Sequence, residues 1–231
     1  MAQIKAEQLR RRRLKINKYY PSTGPLRREL YDKHMQFFAA GSEHRQRCIL
    51  AANRIGKTEG IGGYETTLHL TGIYPDWWTG RRFAKPINAV AAGTTAKTTR
   101  EIIQEKLLGP IHDMGTGLIP HHLIGRTTPK AGIPDAIEMA EVEHSAGGFS
   151  RLYFKSYEQG RECFEGTERD LIWLDEEPPM EIYTECLMRT MTTDGLILCT
   201  FTPLKGLSDV VQMFLGDDGL PSDFKHNGAN E

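Results

Sequence analysis

Nothing in the sequence resembles a secretory signal, and no apolar run is long enough to span a bilayer. Its four cysteines, Cys48, Cys163, Cys186 and Cys199, are scattered, with no C-x-x-C pair. That argues against a disulfide framework or a zinc site and for reduced thiols in a cytosolic protein. Internal repeats and low-complexity tracts are absent as well. What remains is a chain of 231 residues, 39% of them hydrophobic, which suits one large globular domain with room for appended segments.

The net charge of −1 says little about partners, but its distribution is uneven. Residues 1–20 hold seven Lys/Arg and one Glu, a local charge of +6, so the rest of the chain carries −7. Two readings stand: a solvated basic tail, or an arm that contacts phosphates or an acidic partner through Arg10–Arg13.

Along the chain, strands alternate with helices, the pattern of a mostly parallel sheet covered on both faces. Buried strands are expected at Arg47–Ala52, Ile87–Ala92, Asp170–Asp175 and Gly195–Thr200. Helices are expected at Lys57–Leu70, weakened by Gly60, Gly62 and Gly63, at Ala96–Leu108, and at Met180–Thr190. Thr94 and Thr95 are cap candidates for the second, with Ile102, Ile103 and Leu107 on its inner side. Ile137–Glu143 and Arg151–Lys155 read as an antiparallel pair across a turn at 146–148, and 109–135 as a long surface loop. His121 and His122 lack metal-ligand spacing and read as loop residues.

Three stretches carry chemistry. AANRIGKT, Ala51–Thr58, matches the second half of the phosphate-loop pattern G-x-x-x-x-G-K-[ST], with Ala51 at the place of the first glycine. A strand before it and a helix after it are what anion binding requires, because the helix start presents free N–H groups and positive potential. The loop Ala52, Asn53, Arg54, Ile55, Gly56 would wrap the phosphates. Lys57 would reach the β- and γ-phosphates, and the Thr58 hydroxyl would ligate Mg²⁺. Alanine at 51 restricts the turn but removes no N–H donor. In LIWLDEEPP, Leu171–Pro179, a buried strand delivers Asp175, Glu176 and Glu177 to the edge where ligands of such sheets bind. Asp175 would hold Mg²⁺, and Glu176 would polarise the attacking water. GLILCTFTPLKG, Gly195–Gly206, ends a strand in Thr200 and Thr202, placed to sense a γ-phosphate.

In this order AANRIGKT, WLDEEPP and CTFTPLKGLSDVV resemble the large terminase subunit of tailed bacteriophages and prophages, the DNA-packaging motor. The likeness runs from about Tyr31 onward. It implies a P-loop NTPase fold, a three-layer αβα sandwich with a mostly parallel central sheet of the additional-strand, catalytic-glutamate type and flanking antiparallel strands. It implies an ATP hydrolase that uses ATP and Mg²⁺ to move double-stranded DNA in the host bacterial cytoplasm. The implied partners are the portal protein, the small terminase subunit and further copies of the chain in a ring. Family members often carry an arginine four residues before the loop lysine. Asn53 stands there and Arg54 one later, so Arg54 either contacts the γ-phosphate or braces the loop. Gln36 would offer its amide to adenine, with Phe37 or Tyr31 stacking. Arg161 is the candidate finger from a neighbouring subunit, with Arg189 or the Arg81–Arg82 pair as alternatives.

The resemblance divides the chain into a basic arm (1–30), the ATPase domain (31–215) and a linker or chain end (216–231) leading to a nuclease domain. No second acidic set follows Gly206, so nuclease activity is not expected in this chain. Two other classes stay open: a helicase-like NTPase, which would need a second RecA-like domain, and a nucleotide-gated docking module without turnover.

Overall fold

The computed structural model describes residues 14–52, 55–204 and 206–215. Asn53 and Arg54, the arginines Arg10–Arg13 and the segment 216–231 lie outside the described residues.

Seven strands form one sheet: β1 (Gln46–Leu50), β2 (Asn88–Gly93), β3 (Ile124–Pro129), β4 (Ile137–Glu143), β5 (Phe149–Ser156), β6 (Leu171–Asp175) and β7 (Leu196–Phe201). Their order is β1-β7-β6-β2-β5-β4-β3. The first five neighbours run parallel, and β5, β4 and β3 form an antiparallel meander at one end. β6, in the middle, is buried on every residue, as its unbroken apolar sequence demands.

Alternate residues of each strand face opposite ways, and two cores follow from that period of two. Ala89, Leu171, Trp173, Leu196 and Leu198 pack against helices α1 (Asp32–Ala39), α2 (Lys57–Gly63 continuing as Tyr64–Thr71) and α3 (Ala96–Thr98, Thr99–Gln104 and Glu105–Leu108). Val90, Ile172, Leu174, Ile197 and Cys199 pack against α4 (Met180–Met191) and α5 (Asp209–Phe214). Asp175 and Thr200 share the parity of Trp173 and Leu198, so both side chains point to the α2 face. That parity places the acidic strand end under the loop that begins α2.

The glycines of α2 have a packing reason. A Cβ on Gly62 would lie 2.2 Å from the Trp173 indole, so glycine lets the helix settle onto β6. Lys57–Gly63 are wound in wide π-type turns, with both Gly60 N and Ile61 N donating to Gly56 O (2.7 and 3.2 Å). Such turns recur at functional sites.

Several expectations need correction. Residues 109–135 are not simply a surface loop: Leu118 and Ile119 are fully buried, and β3 adds a strand to the sheet edge. Its sequence, IGRTTP, is only half-buried and lacks the alternation that would reveal it. Ile102 is 40% exposed, because the inner stripe of α3 runs through Thr99, Ile103, Gln104, Leu107 and Leu108, and Ile102 sits about 100° off it. Thr95 does cap α3, accepting from Thr98 N while Thr98 Oγ1 accepts from Thr95 N. β1 ends at Leu50, so Ala51 and Ala52 already belong to the loop. Residues 15–20, part of the basic segment, pack against the body: Tyr20 is 3% exposed and joins the core of the α2 face.

Candidate functional site

The carboxyl ends of β1, β7, β6, β2 and β5 all open at one edge of the sheet. Ala51 and Ala52 follow β1 there, and Gly56, whose φ of 87° is left-handed and suits glycine, precedes α2. Lys57 then starts α2. Its Nζ donates to Ala51 O (2.8 Å), Ala52 O (2.7 Å) and Thr202 Oγ1 (2.8 Å). Thr202 Oγ1 in turn donates to Ala51 O (2.9 Å), tying the loop to the end of β7. Burial lowers the Lys57 pKa, opposed by the charges of Glu176 and Asp175.

Asp175 is 4% exposed and ringed by hydroxyls. Thr58 Oγ1 donates to its Oδ1 and Oδ2 (3.0 and 3.2 Å), and Thr200 Oγ1 to its Oδ1 (2.8 Å). Trp173 Nε1 donates to Thr200 Oγ1 (2.8 Å), so a relay from the core orients the carboxylate. Burial pushes the Asp175 carboxyl up to about 7, against the opposing pull of the Thr200 and Thr58 hydroxyls. A buried carboxylate whose hydrogen-bond partners are neutral hydroxyls suits a hard cation. Among the described residues no group of three His, Cys, Asp or Glu side chains can hold a metal by itself. One carboxylate and one hydroxyl are the residues that could hold a hard cation such as Mg²⁺ if phosphate oxygens completed its shell.

Glu176 follows in a left-handed conformation, φ 66°. Its N donates to Thr200 O (3.1 Å), and the Tyr157 hydroxyl donates to the carbonyls of Asp175 and Glu176, each at 3.0 Å. Lys57, Thr58, Asp175, Glu176, Thr200 and Thr202 are thus brought together. Thr200 is fully buried and its hydroxyl is committed to Asp175, whereas Thr202 lies half-buried at the loop itself.

Beside Gly56 lies a cavity of about 740 Å³ lined by Tyr19, Tyr20, Leu30, Tyr31, His34 and Ile55, among others. Tyr31 lies in it. Gln36 is not among the lining residues; it is exposed on α1, one turn beyond Asp32 and Lys33, which are. Phe37 is buried under the Arg47 guanidinium, 4.8 Å from its ring centroid, so its face is taken. The adjacent tyrosines Tyr19 and Tyr20 were the available signal for this wall. Their hydroxyls bond Glu59 Oε1 (2.6 Å) and Gly60 O (2.6 Å) on α2.

Of the four arginines considered as fingers, Arg161 alone follows the carboxyl end of a strand, β5. It is exposed and pairs with Glu165 Oε1 (3.0 Å) and Glu185 Oε2 (3.2 Å). Arg189 pairs with Glu185 (2.9 Å) at the far end of α4. Arg81 pairs with Asp194, just before β7 at the opposite edge, and Arg82 donates to Trp78 O.

A loop lysine and hydroxyl facing a strand-end carboxylate, at the carboxyl edge of a parallel sheet, define a P-loop NTPase fold. A family model described as "Terminase large subunit, T4likevirus-type, N-terminal" matches residues 48–228, and the chain belongs to that family. The large terminase subunit of Salmonella phage P22 is 36% identical over 205 residues, covering 80% of this chain and 41% of that protein. The chain thus spans less than half the length of that curated relative. Among solved structures, the large terminase ATPase domain of Thermus phage P74-26, as a point mutant, is similar in fold, with a TM-score of 0.51 at 18% identity. That match covers 75% of this chain and 65% of the other.

Proposed function

We propose that this chain is the ATP-hydrolysing motor domain of a phage large terminase, which drives double-stranded DNA into a procapsid in the bacterial cytoplasm. The observation that carries the reading is the contact of Thr58 with Asp175 directly under Lys57.

On nucleotide arrival, Lys57 exchanges the carbonyls of Ala51 and Ala52 for the β- and γ-phosphates, and backbone N–H groups at the start of α2 face the same anion. Asn53 and Arg54 belong to that loop by sequence, with Arg54 as its second cation. The base enters the tyrosine-lined cavity beside Gly56. Thr58 and Asp175 would hold Mg²⁺, which when bound draws charge from the phosphate oxygens. Glu176 accepts the proton of the attacking water as it forms a bond to the γ-phosphorus, and ADP leaves with the β–γ bridging electrons. Thr202 loses its lysine partner when Lys57 turns to the phosphates, so the end of β7 senses occupancy. Arg161 of one copy reaches the γ-phosphate on the next in a ring seated on the portal, with the small subunit delivering DNA.

The test is steady-state ATP hydrolysis with and without DNA, alongside nucleotide binding. Lys57→Ala is expected to lose nucleotide affinity. Glu176→Gln is expected to bind ATP but not turn it over. Wild-type turnover by Glu176→Gln would reassign the base. Tight ATP binding by wild type with no hydrolysis on DNA would make the chain a nucleotide-gated docking module instead.

A further inference from the structure

Tyr157 stands just past the end of β5, 8% exposed, packed with Phe164, Ile182 and Tyr183 on the α4 face. Its ring is core, but its hydroxyl is in an unusual place. It lies 3.0 Å from both Asp175 O and Glu176 O, and 3.4 Å from Ala92 O at the end of β2. Successive carbonyls of an extended strand point in opposite directions. Two neighbours reach one hydroxyl here because the backbone breaks at Glu176 into the left-handed region. That conformation is unfavourable for a non-glycine residue and persists only where its surroundings hold it. The holding contacts are the hydrogen bond from Glu176 N to Thr200 O and the Tyr157 hydroxyl.

We propose that Tyr157 is a positioning residue for Glu176, its phenol hydroxyl holding the backbone turn that aims the Glu176 carboxylate at the phosphate site. The inference rests on the motor reading above. Tyr157 also opens the 3-10 turn Tyr157–Gln159, which leads through Gly160 (φ 77°) to Arg161. The same side chain thus joins the base of one site to the segment bearing the candidate finger for another.

Tyr157→Phe keeps the ring in its packing and removes only the hydroxyl, so core filling and positioning separate. We expect kcat for ATP to fall about ten- to a hundredfold, as slight misplacement of a reacting group does, with KM and ATP affinity within about twofold of wild type. In a Glu176→Gln background the same change should have no further effect on the residual single-turnover rate, because the group being aimed is gone. Independently of turnover, the Glu176 amide should exchange with solvent at least about tenfold faster in Tyr157→Phe, while the amides of Leu196–Cys199 keep their protection. Three results overturn the inference: kcat within twofold of wild type, an equal fold-loss with and without Glu176, or unchanged exchange at Glu176. Wild type that binds nucleotide and DNA without turnover overturns the motor reading itself. That outcome is told apart from failure of the present inference, in which wild type turns over and Tyr157→Phe matches it.

Discussion

Glu65, in the middle of α2, and Asp175, at the end of β6, are both carboxylates sealed from solvent, at 0% and 4% exposure. The chain surrounds them differently. Glu65 receives two hydrogen bonds from the Arg47 guanidinium (2.6 and 3.2 Å) and one from His69 Nε2 (3.0 Å). Burial alone would raise its pKa, but Arg47 and His69 outweigh that and hold it low. Asp175 receives hydroxyls, which do not outweigh burial, and its carboxyl rises to about 7. A carboxylate given its own buried cation braces the fold, here β1 against α2. A carboxylate given only neutral donors has no cation of its own in the fold, so its charged form is left for a ligand cation to stabilise. The contrast distinguishes a strut from a site among residues of the same chemistry and similar burial.

The largest expected effect comes from breaking the strut. Glu65→Gln leaves Arg47, 5% exposed, without its counter-charge. Loss of one partner of a buried pair costs about 3–5 kcal/mol. Urea unfolding should show that loss, while turnover per folded molecule stays as in wild type. A stability change under about 1 kcal/mol would mean that Arg47 finds another acceptor beyond Phe37 O, and the strut reading would fall.

Asp175→Asn should do the opposite. The amide keeps hydroxyl partners but loses the charge, so ATP hydrolysis should drop by roughly 10²–10³-fold, the scale for removing one preorganised electrostatic group. Stability at pH 8 should be unchanged or higher, since the native protein there carries a desolvated charge that asparagine lacks. A variant that unfolds early and hydrolyses normally would put Asp175 among the struts.

The comparison extends to pH through His69. Its ring bridges Glu65 and the Tyr74 hydroxyl (2.9 Å), and Arg47 and Arg81 add positive charge nearby. Burial holds its pKa below 6.5, with the pull of Glu65 not enough to restore it. The unfolded chain therefore takes up this proton before the folded one does. Stability is present above pH 6.5 and is lost as pH falls below it, at up to about 1.4 kcal/mol per pH unit for one group. Unfolding free energies at pH 7, 6 and 5 should fall less steeply in His69→Gln. Parallel curves would show that His69 titrates alike in both states.

How much of this could be read in advance varied with the physics involved. The strands β2, β6 and β7 are short apolar runs because both faces are covered, and LIWLDEEPP shows its carboxylates because they end such a run. Gly56-Lys57-Thr58 was legible for the same reason: local order fixes what the loop offers an anion. β3 was hidden because an edge strand needs no alternation to pair on one side. Gln36 is exposed on α1, whose Phe37 and Phe38 face inward, so a sequence reading of the residue's own chemistry could not say which face it presents. Tyr157 gave no signal, since its role arises from carbonyls far along the chain at Asp175 and Glu176. The strut Arg47–Glu65–His69 was equally silent, because long-range pairing is a property of packing and not of any motif.

A third carboxylate, Glu59, falls between the two cases and supports the smallest prediction. It follows Thr58 and is half-buried, with Lys106 Nζ, Lys15 Nζ and the Tyr19 hydroxyl at 2.7, 2.7 and 2.6 Å. Burial would raise its carboxyl, but these three hydrogen bonds outweigh that and bring it to about 2. Unlike Glu65, it has redundant partners, and the lysines keep roughly a third of their side-chain surface in solvent. Water therefore screens each pair, and Lys106 and Tyr19 remain when Lys15 is cut. Lys15→Ala should cost under about 1 kcal/mol, less in high salt. A double-mutant cycle with Glu59→Gln should return a coupling of similar size. A loss of several kcal/mol would make Glu59 a strut like Glu65, and the segment from Lys15 would then be as necessary to the fold as β1. No measurable coupling would leave Tyr19 and Tyr20, through Glu59 and Gly60 O, as the contacts that join this segment to α2.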